Sequence, residues 1–199
     1  DKLGVGFMFA LMHHSAMRHV SLARRELGLR TLFNVLGPMA NPAGLKQQLI
    51  GVYDRALCRP VAQVLQRLGS EHVLVVHSED GLDEISLAAD THVAELKDGV
   101  VSEYTLEPEQ LGFERQGMQD LVVDGVEQSL LLITSALAGE KDFRSQRAAN
   151  MIALNAGAAL YVAGVAASIA DGVNTANGIL ANGAGLEKLQ QLAAMTRSF

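Results

Sequence analysis

The 199-residue chain is 49% hydrophobic and 19% charged, which excludes a disordered polypeptide and is enough for one domain with a sizeable core. Its formal net charge of −6 argues against nucleic acid as the main partner. A single cysteine, Cys58, excludes an intrachain disulfide and fits a reducing compartment, so a cytoplasmic location is expected. No apolar stretch reaches the roughly 18–20 residues of a membrane span. The N-terminus, DKLGVGFMFALMHH, has neither a signal-peptide cleavage pattern nor an initiator Met, and it reads as beginning inside a longer sequence.

Residues 4–12, GVGFMFALM, form an apolar run opened by two glycines. The third glycine of a dinucleotide fingerprint is replaced by Phe9, so the pair reads as packing. Residues 15–28 read as a helix with Ser15 as N-cap, Gly28 after its end, and Ala16, Val20, Ala23 and Leu27 on one face. Arg24 lies at the edge of that face. It is either a snorkelling surface residue or an inward charge that needs an anionic partner. Positions four residues away hold Val20 and Gly28, so an inward Arg24 would look to a ligand, and its planar fork matches a carboxylate. Residues 31–42, TLFNVLGPMANP, begin as a helix that Gly37–Pro38 should break.

A βαβ unit follows: strand 48–53, helix 57–69 and strand 72–77. The helix face is Leu57, Val61, Val64, Leu65 and Leu68, with Pro60 tolerable only near the first turn. Both strands are almost continuously apolar, as in a parallel sheet covered on both faces. Asp98–Gly99 between two alternating segments (92–106) signals a hairpin. Residues 126–139 read as a buried helix, 144–164 as an alanine-rich one, 169–183 as a helix capped by Ser168, and 185–196 as the last helix. The expected fold is α/β, a mostly parallel central sheet with flanking helices.

The chemistry concentrates in residues 81–86, GLDEIS. Neighbouring side chains diverge in both strand and helix, so Asp83 and Glu84 can reach one point only where the backbone bends. Gly81 permits such a bend, and the loop follows an apolar strand, where α/β folds build their sites. The bland alternative is a solvated turn. Two loop carboxylates otherwise suit Mg²⁺, which prefers oxygen ligands and is shared with substrate phosphates. The histidines do not make a zinc site: His13, His14 and His19 lack i,i+4 spacing, and Cys58 has no partner cysteine. His14 is of interest because it immediately precedes the arginine-bearing helix.

The segments HHSAMRHVSLARRELGLRTLFNVLGPMANPAG, QLIGVYD, LGSEHVLVVHSEDGLDEISL and VAELKDGVVSEYTLEPEQLGF together resemble the anthranilate phosphoribosyltransferase family. The match is weaker but consistent to the end, through NAGAALYVAG. The resemblance implies a step of tryptophan biosynthesis in which anthranilate and 5-phosphoribosyl 1-diphosphate (PRPP) give N-(5-phosphoribosyl)anthranilate and diphosphate. It implies a small helical domain (13–42), an α/β domain (43–199) preceded by the tail of another α/β segment (1–12), and a homodimer formed through the helical domain. Asp83 and Glu84 match the family's acidic pair for Mg²⁺, Arg24 its anthranilate-binding arginine, and His14, Gly37, Pro38 and Met17 the positions lining the anthranilate channel. The family's GTGGD loop and KHGN segment are missing. The chain therefore reads as the C-terminal part of such an enzyme, inactive on its own. A nucleoside phosphorylase of the same fold and a non-catalytic α/β binding module are the competing readings.

Overall fold

The structure, a computed structural model, describes residues 2–7, 37, 39 and 43–197. The expected helix 15–28 lies outside the described residues, as do His14, Met17, Arg24 and Pro38. Gly37 and Met39 are both helical, at and beyond the expected break. A glycine costs a helix about 1 kcal/mol without ending it.

Four strands form one sheet in the order β1 (Gln47–Gly51), β2 (His72–Ser78), β3 (Thr91–Lys97) and β4 (Val100–Leu106). β1 and β2 pair in parallel, with Leu49 opposite Leu74 and Gly51 opposite Val76. β2–β3 and β3–β4 are antiparallel, so the sheet is mixed rather than mostly parallel. The cause is local. Parallel strands need a crossover, usually a helix, which α1 (Cys58–Arg67) supplies between β1 and β2 but residues 79–90 do not supply after β2. The β3–β4 turn is the expected one, with Asp98 at φ 51° and Gly99 at φ 75°, both in the region that a two-residue hairpin requires.

α1 covers one face of the sheet. Its buried residues are Cys58, Val61, Ala62 and Leu65, packed on Val73, Val75, Ala94 and Leu96. Val64 and Leu68, expected on this face, are 40% and 63% exposed, because the buried stripe is centred on Cys58 and Ala62 instead. Pro60 stands in the first turn, where its missing N–H costs nothing. Burial pushes the Cys58 thiol up to about 11. Cys58 is therefore expected to resist iodoacetamide at pH 8 in the folded protein and to react at once in guanidinium; mass spectrometry of the alkylated protein checks this.

The other face carries α3 (Phe143–Val162) and α4 (Ile169–Ala181), packed over Leu74, Val76 and Val93. Asp142 caps α3 by accepting from the backbone N–H groups of Arg144 and Ser145. Ser168 caps α4 as expected, accepting from Asp171 N–H. On this face Glu95 is buried, and it accepts from Tyr161 Oη at 2.7 Å and meets His72 Nε2 at 2.9 Å, tying α3 to the sheet.

The internal glycines of α4 have a packing role. A Cβ on Gly172 would overlap the Gly157 carbonyl oxygen of α3, whereas one on Gly178 would meet nothing. Gly172→Ala is expected to destabilise by about 1–3 kcal/mol, since backbone cannot yield to an added methyl. Gly178→Ala is expected to stabilise by up to about 1 kcal/mol through helix propensity. Guanidinium unfolding of both variants reads the opposite signs.

α2 (Val126–Leu137) and α5 (Ala184–Thr196) are the other two named helices, beside three short 3-10 turns at Arg55–Leu57, Pro108–Leu111 and Gln119–Leu121. α2 is not the buried helix that its composition predicts: Val126 and Leu131 are 79% and 71% exposed, and only Ala136 is buried. The helix is apolar on nearly all sides, so packing along one side leaves the others open.

Candidate functional site at the carboxyl ends of the parallel strands

β1 and β2 end side by side at Gly51 and Ser78, and the chain then runs through residues 79–90 before re-entering the sheet. That loop is held by its own hydrogen bonds. Ser78 N–H donates to Leu82 O and Gly81 N–H to Ser78 O, with Gly81 at φ 91° making the turn. Asp80 accepts from Leu82 N–H through one carboxyl oxygen and from Ser86 Oγ through the other. Ser86 N–H in turn donates to Thr91 Oγ1 at the start of β3. Ile85 and Leu87 are buried in the core, so the loop is anchored where the sequence LDEIS turns inward.

Asp83 and Glu84 are both exposed and lie on the rim of a cleft of about 480 Å³. Leu49 and Val76 from the sheet and Met151 and Ile152 from α3 form its apolar wall. Partial desolvation in the cleft, and then the neighbouring Asp83 charge, push Glu84 above the usual carboxylate range. Two adjacent carboxylates that repel each other and line an apolar cleft offer the oxygen donors that a hard cation prefers. No group of three or more His, Cys, Asp or Glu side chains gathers among the described residues, so within them the pair forms no all-protein metal cage. It fits instead an ion such as Mg²⁺, which keeps waters and shares substrate phosphates.

Two residues that shape the site escape a reading of the sequence. Gly51 ends β1, and a Cβ there would overlap the carbonyl oxygen of Asp83, so only glycine lets the acidic loop lie against the strand. Asn155 of α3 lines the cleft and bonds the backbone of Ile85. The signals were a lone glycine in the apolar strand QLIGVY and a lone amide in the helix segment IALNAGAAL. Asp83 and Glu84 stand in the loop after β2 and line the cleft. Gly37 is half-buried and does not line the cleft. Where His14, Met17, Arg24 and Pro38 lie relative to the pair falls outside the described residues.

A mixed sheet sandwiched by helices, with an acidic loop and a cleft at the carboxyl ends of its parallel strands, defines the class: an α/β protein of the kind that binds ligands at strand ends. The chain belongs to the glycosyl transferase family, a/b domain, whose family model matches residues 1–186. It is 59% identical to the anthranilate phosphoribosyltransferase of Pseudomonas entomophila (strain L48) over 199 residues, all of this chain and 57% of that protein. The crystal structure of anthranilate phosphoribosyltransferase from Thermus thermophilus has a TM-score of 0.88 and 39% identity, covering 99% of this chain and 57% of that one. The enzyme from Saccharomyces cerevisiae in complex with PRPP and Mg has a TM-score of 0.79 and 26% identity, covering 94% of this chain and 53% of that one. The chain thus spans a little over half the length of the relatives it matches. No helix among the described residues is long and apolar enough to cross a membrane.

Proposed function

We propose that the chain contributes the metal-holding loop and the acceptor-binding segment of an enzyme that transfers phosphoribosyl from PRPP to anthranilate. The observation that carries this reading is the acidic pair on the rim of the strand-end cleft, in a chain 59% identical along its whole length to an anthranilate phosphoribosyltransferase. The domain division at residue 43, a homodimer formed through residues 13–42, and a cytoplasmic location belong to the same proposal.

In the reaction the anthranilate nitrogen forms a bond to C1 of the ribose while the bond from C1 to the diphosphate oxygen breaks, and the nitrogen then releases one N–H proton to water. Negative charge builds on the departing diphosphate, and the ribose gains positive character. Asp83 and Glu84 would hold Mg²⁺, which when bound offsets the leaving-group charge. A cation held there would offset the Asp83 repulsion that, after desolvation, raises Glu84. Arg24 binds the anthranilate carboxylate with its planar fork, and His14, Met17, Gly37 and Pro38 are the residues that match the family's anthranilate channel. Arg24 therefore aims the amine rather than activating it. The aromatic amine is uncharged at neutral pH and carries a free lone pair, so no general base is assigned.

The test is turnover by the full-length protein supplied with PRPP, anthranilate and Mg²⁺, followed by the loss of anthranilate fluorescence. Product formation that stops when Mg²⁺ is chelated supports the reading. Phosphorolysis of nucleosides without use of anthranilate overturns it.

A further inference from the structure

The acidic pair is bracketed by two fixed points. On one side the Asp83 carbonyl packs against Gly51. On the other side Asn155 grips the peptide of Ile85: Ile85 N–H donates to Asn155 Oδ1 at 2.9 Å, and Asn155 Nδ2 donates to Ile85 O at 2.9 Å. Only one orientation of the carboxamide satisfies both bonds, because the flipped amide would set donor against donor and acceptor against acceptor. A further bond from Nδ2 to Met151 O, at 3.1 Å, holds the side chain along its own helix. The contact spans 70 residues of sequence and joins α3 to the loop one residue beyond Glu84. Asparagine is a weaker helix former than the alanines around it, so its place in the interior of α3 calls for a reason beyond helix stability.

Building on the metal reading above, we propose that Asn155 is a positioning residue, which sets the Asp83–Glu84 carboxylates toward the cation by fixing the backbone of Ile85. In this role Asn155 acts through the Ile85 backbone rather than on the substrate or the cation. Groups that orient metal-holding carboxylates typically change metal affinity or activity by about ten- to a hundredfold when removed. The Ile85 side chain is buried, so the loop stays docked without Asn155 and loses aim rather than attachment.

The test uses Asn155→Leu, which removes both bonds at similar size, and Asn155→Asp, which keeps the acceptor for Ile85 N–H but sets a carboxylate oxygen against Ile85 O. Three readouts are taken on the full-length protein: amide hydrogen exchange at Ile85, Mn²⁺ affinity by EPR in the presence of PRPP, and the Mg²⁺ half-saturation of turnover beside the KM for anthranilate. Asn155→Leu is expected to speed Ile85 exchange about tenfold or more, with Val73–Val76 unchanged. Both variants are expected to raise the Mg²⁺ half-saturation and the Mn²⁺ dissociation constant about ten- to a hundredfold, with the anthranilate KM unmoved. A folded variant with wild-type Mg²⁺ half-saturation and Mn²⁺ affinity overturns the proposal, and so does unchanged Ile85 exchange in Asn155→Leu. The double variant Asp83→Asn, Glu84→Gln separates the two levels. If it loses its Mg²⁺ response while the Asn155 variants keep theirs, the positioning role alone fails. If it keeps a wild-type Mg²⁺ response, the metal reading fails, and the role of Asn155 falls with it.

Discussion

Replacing Asp83 with Asn and Glu84 with Gln together in the full-length protein is expected to abolish Mg²⁺-dependent turnover and leave the fold intact. A catalytic cation offsets transition-state charge by several kcal/mol, which corresponds to a loss on the order of 10³-fold or more. The amides keep the size of the side chains but cannot supply anionic oxygen. The effect on stability should be slight. Both residues are exposed, and neither forms an ion pair among the described residues. The sign can be argued further. Desolvation and the Asp83 charge hold the Glu84 carboxyl above its usual range, so its ionised form is disfavoured in the folded state relative to the unfolded chain. At pH 7 the neutral glutamine removes that cost, and the melting temperature should stay level or rise a little. Turnover at limiting Mg²⁺ equal to wild type would contradict the assignment. A collapse of the melting temperature would make the pair structural.

Arg24→Ala is expected to raise the KM for anthranilate about ten- to a hundredfold while leaving the KM for PRPP nearly unchanged. The range follows from the loss of a charge-assisted hydrogen bond, worth roughly 1.5–3 kcal/mol. Arg24→Lys should recover only part of the loss, because an ammonium cannot present two parallel donors to one carboxylate. Steady-state kinetics with each substrate varied in turn makes the comparison. Equal losses toward both substrates would mean that Arg24 does not bind the anthranilate carboxylate.

Features governed by short-range rules were legible in the sequence. The apolar run in HVLVVH became a central strand, Asp98–Gly99 made its hairpin, and Ser168 capped its helix. The acidic loop was readable for the same reason: a strand end, a turning glycine and two carboxylates all fall within residues 72–86. What stayed hidden depends on distant partners. The antiparallel return of β3 follows from the lack of a crossover helix in residues 79–90, which strand composition does not reveal. The stripe on α1 is centred on Cys58 and Ala62 because β2 and β3 meet it there, although Val64 and Leu68 fit the same periodicity. Gly51 looks like a weak point in a strand until Asp83 is seen against it. Asn155 looks like a stray amide in an alanine-rich helix until Ile85, 70 residues away, is found in its grip. Gly157 and Gly172 likewise acquire a purpose only as a facing pair between α3 and α4.

Asp83 and Glu84 are proposed to hold the cation at the strand-end cleft. Crystals of the full-length protein grown with PRPP and Mn²⁺, measured for anomalous scattering, test it most directly. A manganese peak is expected within ligand distance of the Asp83 or Glu84 carboxylate and of the diphosphate, and none at that position in the Asp83→Asn, Glu84→Gln variant. A peak bound elsewhere in the cleft, or one unchanged in that variant, would contradict it.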